Sequence, residues 1–272
     1  MTSSTGPDPR PPATFLTLPD RARKPRRTGI THVLDDGVPL AEARARLDSA
    51  AACIDVWKFG WGLAYIDPQL DAKLALLEAA GVRACTGGTL LEIAWLQGAT
   101  DAFFEWAAAH GFPCVEVSCG TVPMSRDDKD RLIAAAAQHF TVLAEVGAKD
   151  PAVPVSPERW AADAAADLAA GASCVVTEGR ASGTVGLFDP DGTVRREVVD
   201  AVVAAVGVER VLFEAPRRSQ QAWLIGLFGS DVNLGNIPVA DVLAVETLRL
   251  GLRSDTLRTV AVPAEPAGGA QP

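Results

Sequence analysis

Eight short apolar runs in this chain end in residues that could do chemistry. In order, these ends offer Asp35 and Asp36, Lys58, Thr89, Ser118, Glu145 with Lys149, Glu178 with Arg180, Glu214, and Asn233 with Asn236. A carboxylate, lysine or arginine that closes an apolar strand must be paired, bound to something, or left with a desolvation penalty. Any single one suits a structural salt bridge. Their recurrence on six or more successive runs exceeds what pairing alone requires. Glu145, Glu178 and Glu214 close three consecutive runs. Adjacent strands lie about 4.8 Å apart, so these side chains could converge on one hard cation such as Mg²⁺, which takes oxygen ligands. They could equally pair with Lys58, Lys149 or Arg180, and both arrangements can hold at once.

The segment 233–252 places glycine-containing backbone just before a helical pattern. Free N–H groups at a helix start favour anions. Gly235, Asn236 and Ile237 therefore read as a phosphate cradle, with an ordinary tight turn as the alternative. Gly87 and Gly88 precede Thr89 in a second glycine-rich turn, and Gly60 and Gly62 flank Trp61 beside Lys58. The three histidines, His32, His110 and His139, read as incidental. No HxH or HExxH spacing points to zinc, and no Ser-His-Asp or Cys-His arrangement can be argued. Lysines, an arginine, carboxylates and phosphate-binding loops suit a small phosphorylated anion. A carboxylated substrate that passes through an enolate would use a divalent cation for the developing charge and a lysine to move the proton.

These residues need elements that bring the run ends together. The runs are THVLDDG (31–37), IDVWKFGWG (54–62), VRACTGGT (82–89), CVEVSCGT (114–121), TVLAEVGAKD (141–150), CVVTEGRASG (174–183), VLFEAP (211–216) and DVNLGNI (231–237). Between them lie amphipathic helical patterns, among them 71–81, 101–111 and 158–171. Ser125 and Ser156 read as helix caps, and Gly81, Gly111 and Gly171 as helix stops. Strict strand–helix alternation implies a parallel sheet. Eight units imply a single α/β domain, a (β/α)8 TIM barrel, whose active site lies where the strands finish. An open Rossmann sheet is disfavoured because no GxGxxG follows the first strand.

The 272 residues suit one such barrel, and a net charge of −9 disfavours nucleic acid as a partner. No apolar run is long enough for a membrane span. Five cysteines without a CxxC pair, and no recognisable leader, lead us to expect a reducing cytoplasm. Residues 1–28, rich in Pro, Ser, Thr and Arg, read as a disordered, solvated tail, residues 29–258 as the catalytic barrel, and residues 259–272 as a flexible tail.

The motifs KFGWG (58–62), GGTLLEIA (87–94), EVSCGTVPMS (116–125), AEVGAKD (144–150), TEGRASGTVGLFDPDG (177–192), FEAPRRSQQAW (213–223) and VNLGNIPVADVLAVETLRLGLRSDTL (232–257) together resemble the phosphosulfolactate synthase family. The resemblance spans about residues 30–258. It implies a Mg²⁺-dependent barrel lyase, assembled as a homotrimer, that adds sulfite to phosphoenolpyruvate and gives (2R)-phospho-3-sulfolactate, an early step toward coenzyme M. It further implies that Lys149 is the general acid toward C2 of the enolate. Lys58 and Arg180 would bind the substrate charges, with Thr89, Ser118, Asn233 and the Gly235–Ile237 turn beside them, and Glu145, Glu178 and Glu214 would be the metal ligands. One position departs from the family: its usual Ser-Asp-Gly reads Ser118-Cys119-Gly120 here. That loss leaves open a related lyase with another nucleophile, or a non-catalytic, stress-related homologue.

Overall fold

A parallel strand buried on both faces sends alternate side chains to the barrel interior and to the surrounding helices. Each strand here carries that double pattern. The computed structural model describes residues 15–150 and 154–260. β1 (Thr31–Asp35) is followed by α1 (Leu40–Ala50), β2 (Val56–Phe59) by α2 (Leu63–Ile66) and α3 (Leu70–Ala79), and β3 (Arg83–Thr86) by α4 (Gly88–Leu96) and α5 (Thr100–Ala109). β4 (Cys114–Val117) leads to α6 (Arg126–Ala136), β5 (Thr141–Val146) to α7 (Pro157–Ala169), and β6 (Cys174–Thr177) to α8 (Arg196–Val206). β7 (Val211–Glu214) leads to α9 (Arg218–Phe228), and β8 (Asn233–Pro238) to α10 (Val242–Arg249) and α11 (Leu257–Val260). All neighbouring strands are parallel, and β8 pairs with β1 to close the barrel. The expected (β/α)8 architecture is the one observed.

The alternation sorts two kinds of core. Outward residues such as Val33, Trp57, Phe59, Val115, Val142, Ala144 and Phe213 pack under the helices. Inward, Val56, Cys85, Cys114, Leu143, Val176 and Leu212 form a separate apolar floor. Two residues further along the same strands, hence one pleat nearer the mouth, stand Lys58, Glu116, Glu145, Glu178 and Glu214, all buried. The inward face thus changes from apolar to ionisable within one step of the pleat. Helix ends behave as their residues dictate: the Ser125 hydroxyl accepts from the Asp128 N–H, and Ser156 from the Arg159 N–H with Pro157 in the first turn.

Two expectations change here. The basic stretch within 1–28 does not behave as a solvated tail over residues 15–28. Arg26 is buried, bonding both Asp55 carboxylate oxygens at 3.2 and 3.3 Å and the carbonyls of Ala22 and Ala52. Arg21 bridges Glu246 and Asp231, and the Lys24 ammonium donates to the carbonyls of Ala51 and Ile54. These cations satisfy acceptors exposed where the strands begin, so they seal the lower end of the barrel. Residues 1–14 lie outside the described residues. At the other end, α11 carries the described chain to residue 260, past the 259 boundary, and 261–272 lie outside the described residues. The second change concerns residues 235–237. They lie within β8, not in a loop before a helix, and Ile237 is fully buried in the outer core.

Candidate active site

Lys58 anchors the site. Its ammonium, on β2, donates to Glu116 Oε2 at 2.9 Å and Glu214 Oε1 at 3.1 Å. Burial opposes the charge, but the carboxylates of Glu116, Glu214 and Glu145 outweigh it and raise its pKa well above 10.5. The remaining oxygens of the two partners take backbone donors. Glu116 Oε1 accepts the Gly88 N–H at 2.9 Å, at the start of α4. Glu214 Oε2 accepts from the N–H groups of Gly179 and Arg180 at 2.9 and 3.1 Å. Residue 88 has to be glycine, since a Cβ there would run into the Ser118 hydroxyl and come within 3.2 Å of Glu116.

Lys149 is the second cation. It follows β5 in a loop and reaches back over the mouth, where its Nζ lies 3.2 Å from Glu92, 3.3 Å from Ser118 Oγ, 3.3 Å from Glu145 and 3.5 Å from Thr89 Oγ1. Burial opposes its charge too, and Glu145, Glu178, Glu92 and Glu116 raise its pKa strongly. Glu92 holds this corner together. Buried on α4, it also accepts from the Ser118 hydroxyl and from the N–H groups of Gly120 and Thr121. Arg180, in the left-handed region at φ 53°, stands exposed at the rim and donates to the Lys149 carbonyl at 3.1 Å.

Five buried carboxyl groups, Glu92, Glu116, Glu145, Glu178 and Glu214, therefore share two ammoniums. The excess is visible in their titration. Burial, and then the charges of Glu145 and Glu214, raise Glu178 well above 4.5, and it is hydrogen-bonded to Glu145. Burial also raises Glu116, against the pull of Lys58. Glu145 is lowered despite burial, because Lys149 and Lys58 face it. Carboxylate oxygens of Glu116, Glu145 and Glu214 lie within 4.8 Å of one another, a grouping a metal ion could bridge. Glu178 Oε2 is buried without a hydrogen-bond partner, while Glu145 Oε1 faces the Lys149 ammonium at 3.3 Å. Surplus carboxylates, an unpartnered Glu178 oxygen and an all-oxygen donor set fit a hard divalent cation.

The structure brings together Lys58, Lys149, Thr89, Ser118, Glu145, Glu178 and Glu214 from the sequence-derived set, with Arg180 at the rim. The three-carboxylate grouping contains Glu116 where Glu178 was expected, and Glu178 adjoins it through Glu145. Asn233 is elsewhere. It begins β8 at the opposite end of the barrel, where its amide joins the Ile30 N–H to the carbonyls of Glu209 and Val211. The Gly235–Ile237 stretch is no open cradle either: the Asn236 N–H is already given to His32 Nδ1 at 3.3 Å. Glu116 and Glu92 escaped the reading of strand ends because one lies within β4 and the other in a helix. The signal for Glu116 was its parity with Ser118 in a strand otherwise apolar. Cys119 is not part of the carboxylate ring. Its thiol is raised by burial, and its charged surroundings are Lys129, Asp167, Glu92 and Arg126, not the ring of Glu116, Glu145 and Glu214.

The sequence profile of (2R)-phospho-3-sulfolactate synthase matches residues 19–255. The chain belongs to the phosphosulfolactate synthase family. A phosphosulfolactate synthase of Bacillus subtilis is 40% identical over 244 residues, covering 89% of this chain and 97% of that protein. One of Methanothermobacter thermautotrophicus is 40% identical over 252 residues, covering 90% and 97%. Among solved structures, 3-hexulose-6-phosphate synthase from Salmonella typhimurium superposes with a TM-score of 0.53 at 15% identity, over 84% of this chain and 98% of that one. A 3-keto-L-gulonate-6-phosphate decarboxylase from Vibrio cholerae gives 0.53 at 13% identity, over 85% and 99%. These two likenesses show the shared barrel fold. Membership of the synthase family makes the protein an enzyme, and the mouth of the barrel is its candidate active site. Among the described residues, no helix is long and apolar enough to cross a membrane.

Proposed function

We propose that the protein is a carbon–sulfur lyase that adds sulfite to phosphoenolpyruvate and forms (2R)-phospho-3-sulfolactate with Mg²⁺. The observation that carries this reading is the pairing of two buried ammoniums, Lys58 and Lys149, with the carboxylate ring of Glu116, Glu145 and Glu214. In the proposed reaction the sulfite sulfur bonds to C3. The electron pair of the C2=C3 bond moves to C2 and into the carboxylate, and a proton then bonds to C2 while the phosphate ester stays intact. Mg²⁺, held by Glu116, Glu145 and Glu214, would stabilise the negative charge that develops on the enolate.

Lys149 supplies the proton. Its acid form persists at neutral pH because the carboxylates around it favour the charged state, and Glu92, Ser118 and Thr89 fix its Nζ. Arg180 offers the substrate a guanidinium at the rim, beside Lys149. Lys58 lies beneath, holding Glu116 and Glu214 in place. The family resemblance also carries the expectation of a cytoplasmic homotrimer. Cys119 gives no reason to prefer another nucleophile, since the charges that act on its thiol are Lys129, Asp167, Glu92 and Arg126, none of them in the Glu116, Glu145 and Glu214 ring. A non-catalytic homologue would have no use for five buried carboxyl groups at one mouth. Lys149→Ala tests the assignment: kcat should fall by about 10²- to 10⁴-fold with the circular-dichroism spectrum unchanged. Turnover within threefold of the parent would remove Lys149 from the reaction.

A further inference from the structure

The end of β5 carries Glu145 and leads on to Lys149, and a third buried ammonium fixes it from outside the barrel. Lys129 lies on α6, buried on the same helix face as Leu132, Ile133 and Ala136. Its Nζ donates to the Glu145 carbonyl and to Asp167 Oδ2, both at 2.7 Å. Asp167, fully buried on α7, accepts from Arg126 at 2.6 Å through its other oxygen. A buried ion pair is a poor source of stability, since apolar side chains of similar volume often serve as well or better.

The strand register shows what this ammonium replaces. Where other neighbouring strands finish, one more rung closes the ladder. The Gly60 N–H reaches the Asp35 carbonyl at 2.8 Å, the Glu178 N–H that of Val146 at 3.0 Å, and the Ala215 N–H that of Gly235 at 2.9 Å. Between β4 and β5, the Thr141 N–H reaches the Pro113 carbonyl at 2.9 Å, which turns the odd-numbered residues of β5 toward β4. Val117 pairs with Ala144, so the closing rung would run from the Cys119 N–H to the Glu145 carbonyl. Among the described residues that rung is not made. β4 leaves the sheet after Val117, and the N–H groups of Gly120 and Thr121 turn to Glu92 at 3.1 and 3.0 Å. Lys129 supplies the donor that the strand does not. Just beyond, Gly147 stands at φ 113°, where a Cβ would come within 2.5 Å of the Trp160 ring and 2.9 Å of Glu178 Cβ. Trp160 and Asp167 are both buried and seven residues apart, on one face of α7. The β5 end is thus held at two points by one helix.

We infer that Lys129 is a positioning residue, which stands in for the last β4–β5 rung and so sets Glu145 and the Ser118–Thr121 turn against Lys149. The inference rests on the proposed function for the roles of Glu145 and Lys149. Without this donor the Glu145 carbonyl is left unpaired, and both strand ends are free to shift where the cation and the proton donor must meet.

The double substitution Lys129→Met with Asp167→Asn removes both charges together, so neither is left buried alone. Hydrogen–deuterium exchange of the full chain, without metal, should speed up by about tenfold or more in residues 118–124 and 145–150 and stay near parent values in the other strands. Mg²⁺ affinity by isothermal titration should fall about 10- to 100-fold. Arg126→Ala, which loosens α6 and α7 without reaching the Glu145 carbonyl, should leave both readings within about threefold of the parent even where its melting temperature falls. Unchanged exchange in the two segments overturns the inference, as does acceleration spread evenly over the barrel. Local acceleration with Mg²⁺ affinity within threefold of the parent overturns it as well. A parent protein that binds no Mg²⁺ refutes the proposed metal, and the metal-free exchange still decides whether Lys129 holds the strand ends.

Discussion

Replacing Glu116 with glutamine removes one charge from the ring and keeps its shape. The Gly88 N–H, 2.9 Å from Oε1, can still be accepted by the amide oxygen. The Lys58 ammonium loses a charged partner at 2.9 Å but keeps Glu214 at 3.1 Å. Loss of one charge-assisted bond costs about 1.5–3 kcal/mol. Part of this is returned, because Glu116 itself stands at a raised pKa through burial. A net destabilisation of about 1–2 kcal/mol follows, a fall of roughly 2–8 °C in melting temperature. Mg²⁺ affinity should respond far more. Loss of a group that merely orients a ligand costs about 10- to 100-fold, so loss of a ligand should cost at least the upper end of that range. Isothermal titration of Mg²⁺ into parent and Glu116→Gln protein measures it, and affinities within threefold of each other would refute the ring as the metal site.

The same titration carries a pH dependence. Glu178 and Glu116 have folded pKa values raised above 4.5. Their neutral forms stabilise the metal-free protein, and that contribution is fully present below 4.5 and is lost as pH rises through the raised values. Metal competes with those protons, so Mg²⁺ affinity should rise with pH above about 4.5 and binding should release protons. Affinity that fell or stayed flat over that window would contradict the raised pKa values of Glu178 and Glu116.

Two further perturbations probe the periphery. Cys119→Asp places a carboxylate just past β4, near the charges of Arg126 and Lys129, so Mg²⁺ affinity should change by less than about fivefold; a change of a hundredfold would place residue 119 in the ring. Arg26→Ala strips the buried Asp55 of its cation and should cost about 3–5 kcal/mol, seen as a lower denaturation midpoint. An unchanged midpoint would return residues 15–28 to the solvated tail read from composition.

The barrel was legible because its signal is periodic: eight apolar runs alternate with helical spacing, and no long-range pairing has to be known to count them. The mouth was legible where charge closes a run, as at Lys58, Glu145 and Glu214. It was not legible where function lies one pleat deeper or in a helix. Glu116 reads as an interruption of an apolar strand until the inward parity of β4 is known, and Glu92 reads as one face of α4. Asn233 misled for the opposite reason. Proximity in sequence to a strand does not say at which end of the barrel a residue stands, and Asn233 begins β8 where Asn236 nears its finish. Gly235 resembles a loop glycine, yet it is a strand residue whose missing side chain makes room for Leu212. The arginines of the N-terminal stretch resemble a solvated run because composition carries no record of the carbonyls and carboxylates waiting at the lower end of the barrel.

The most direct test of the central claim is the consumption of phosphoenolpyruvate by the purified enzyme, with sulfite and Mg²⁺ supplied together or singly and products identified by mass spectrometry. The account predicts loss of phosphoenolpyruvate only when both are present, with a phosphorylated, sulfonated three-carbon product. Absence of that product, or equal consumption without sulfite, would contradict it.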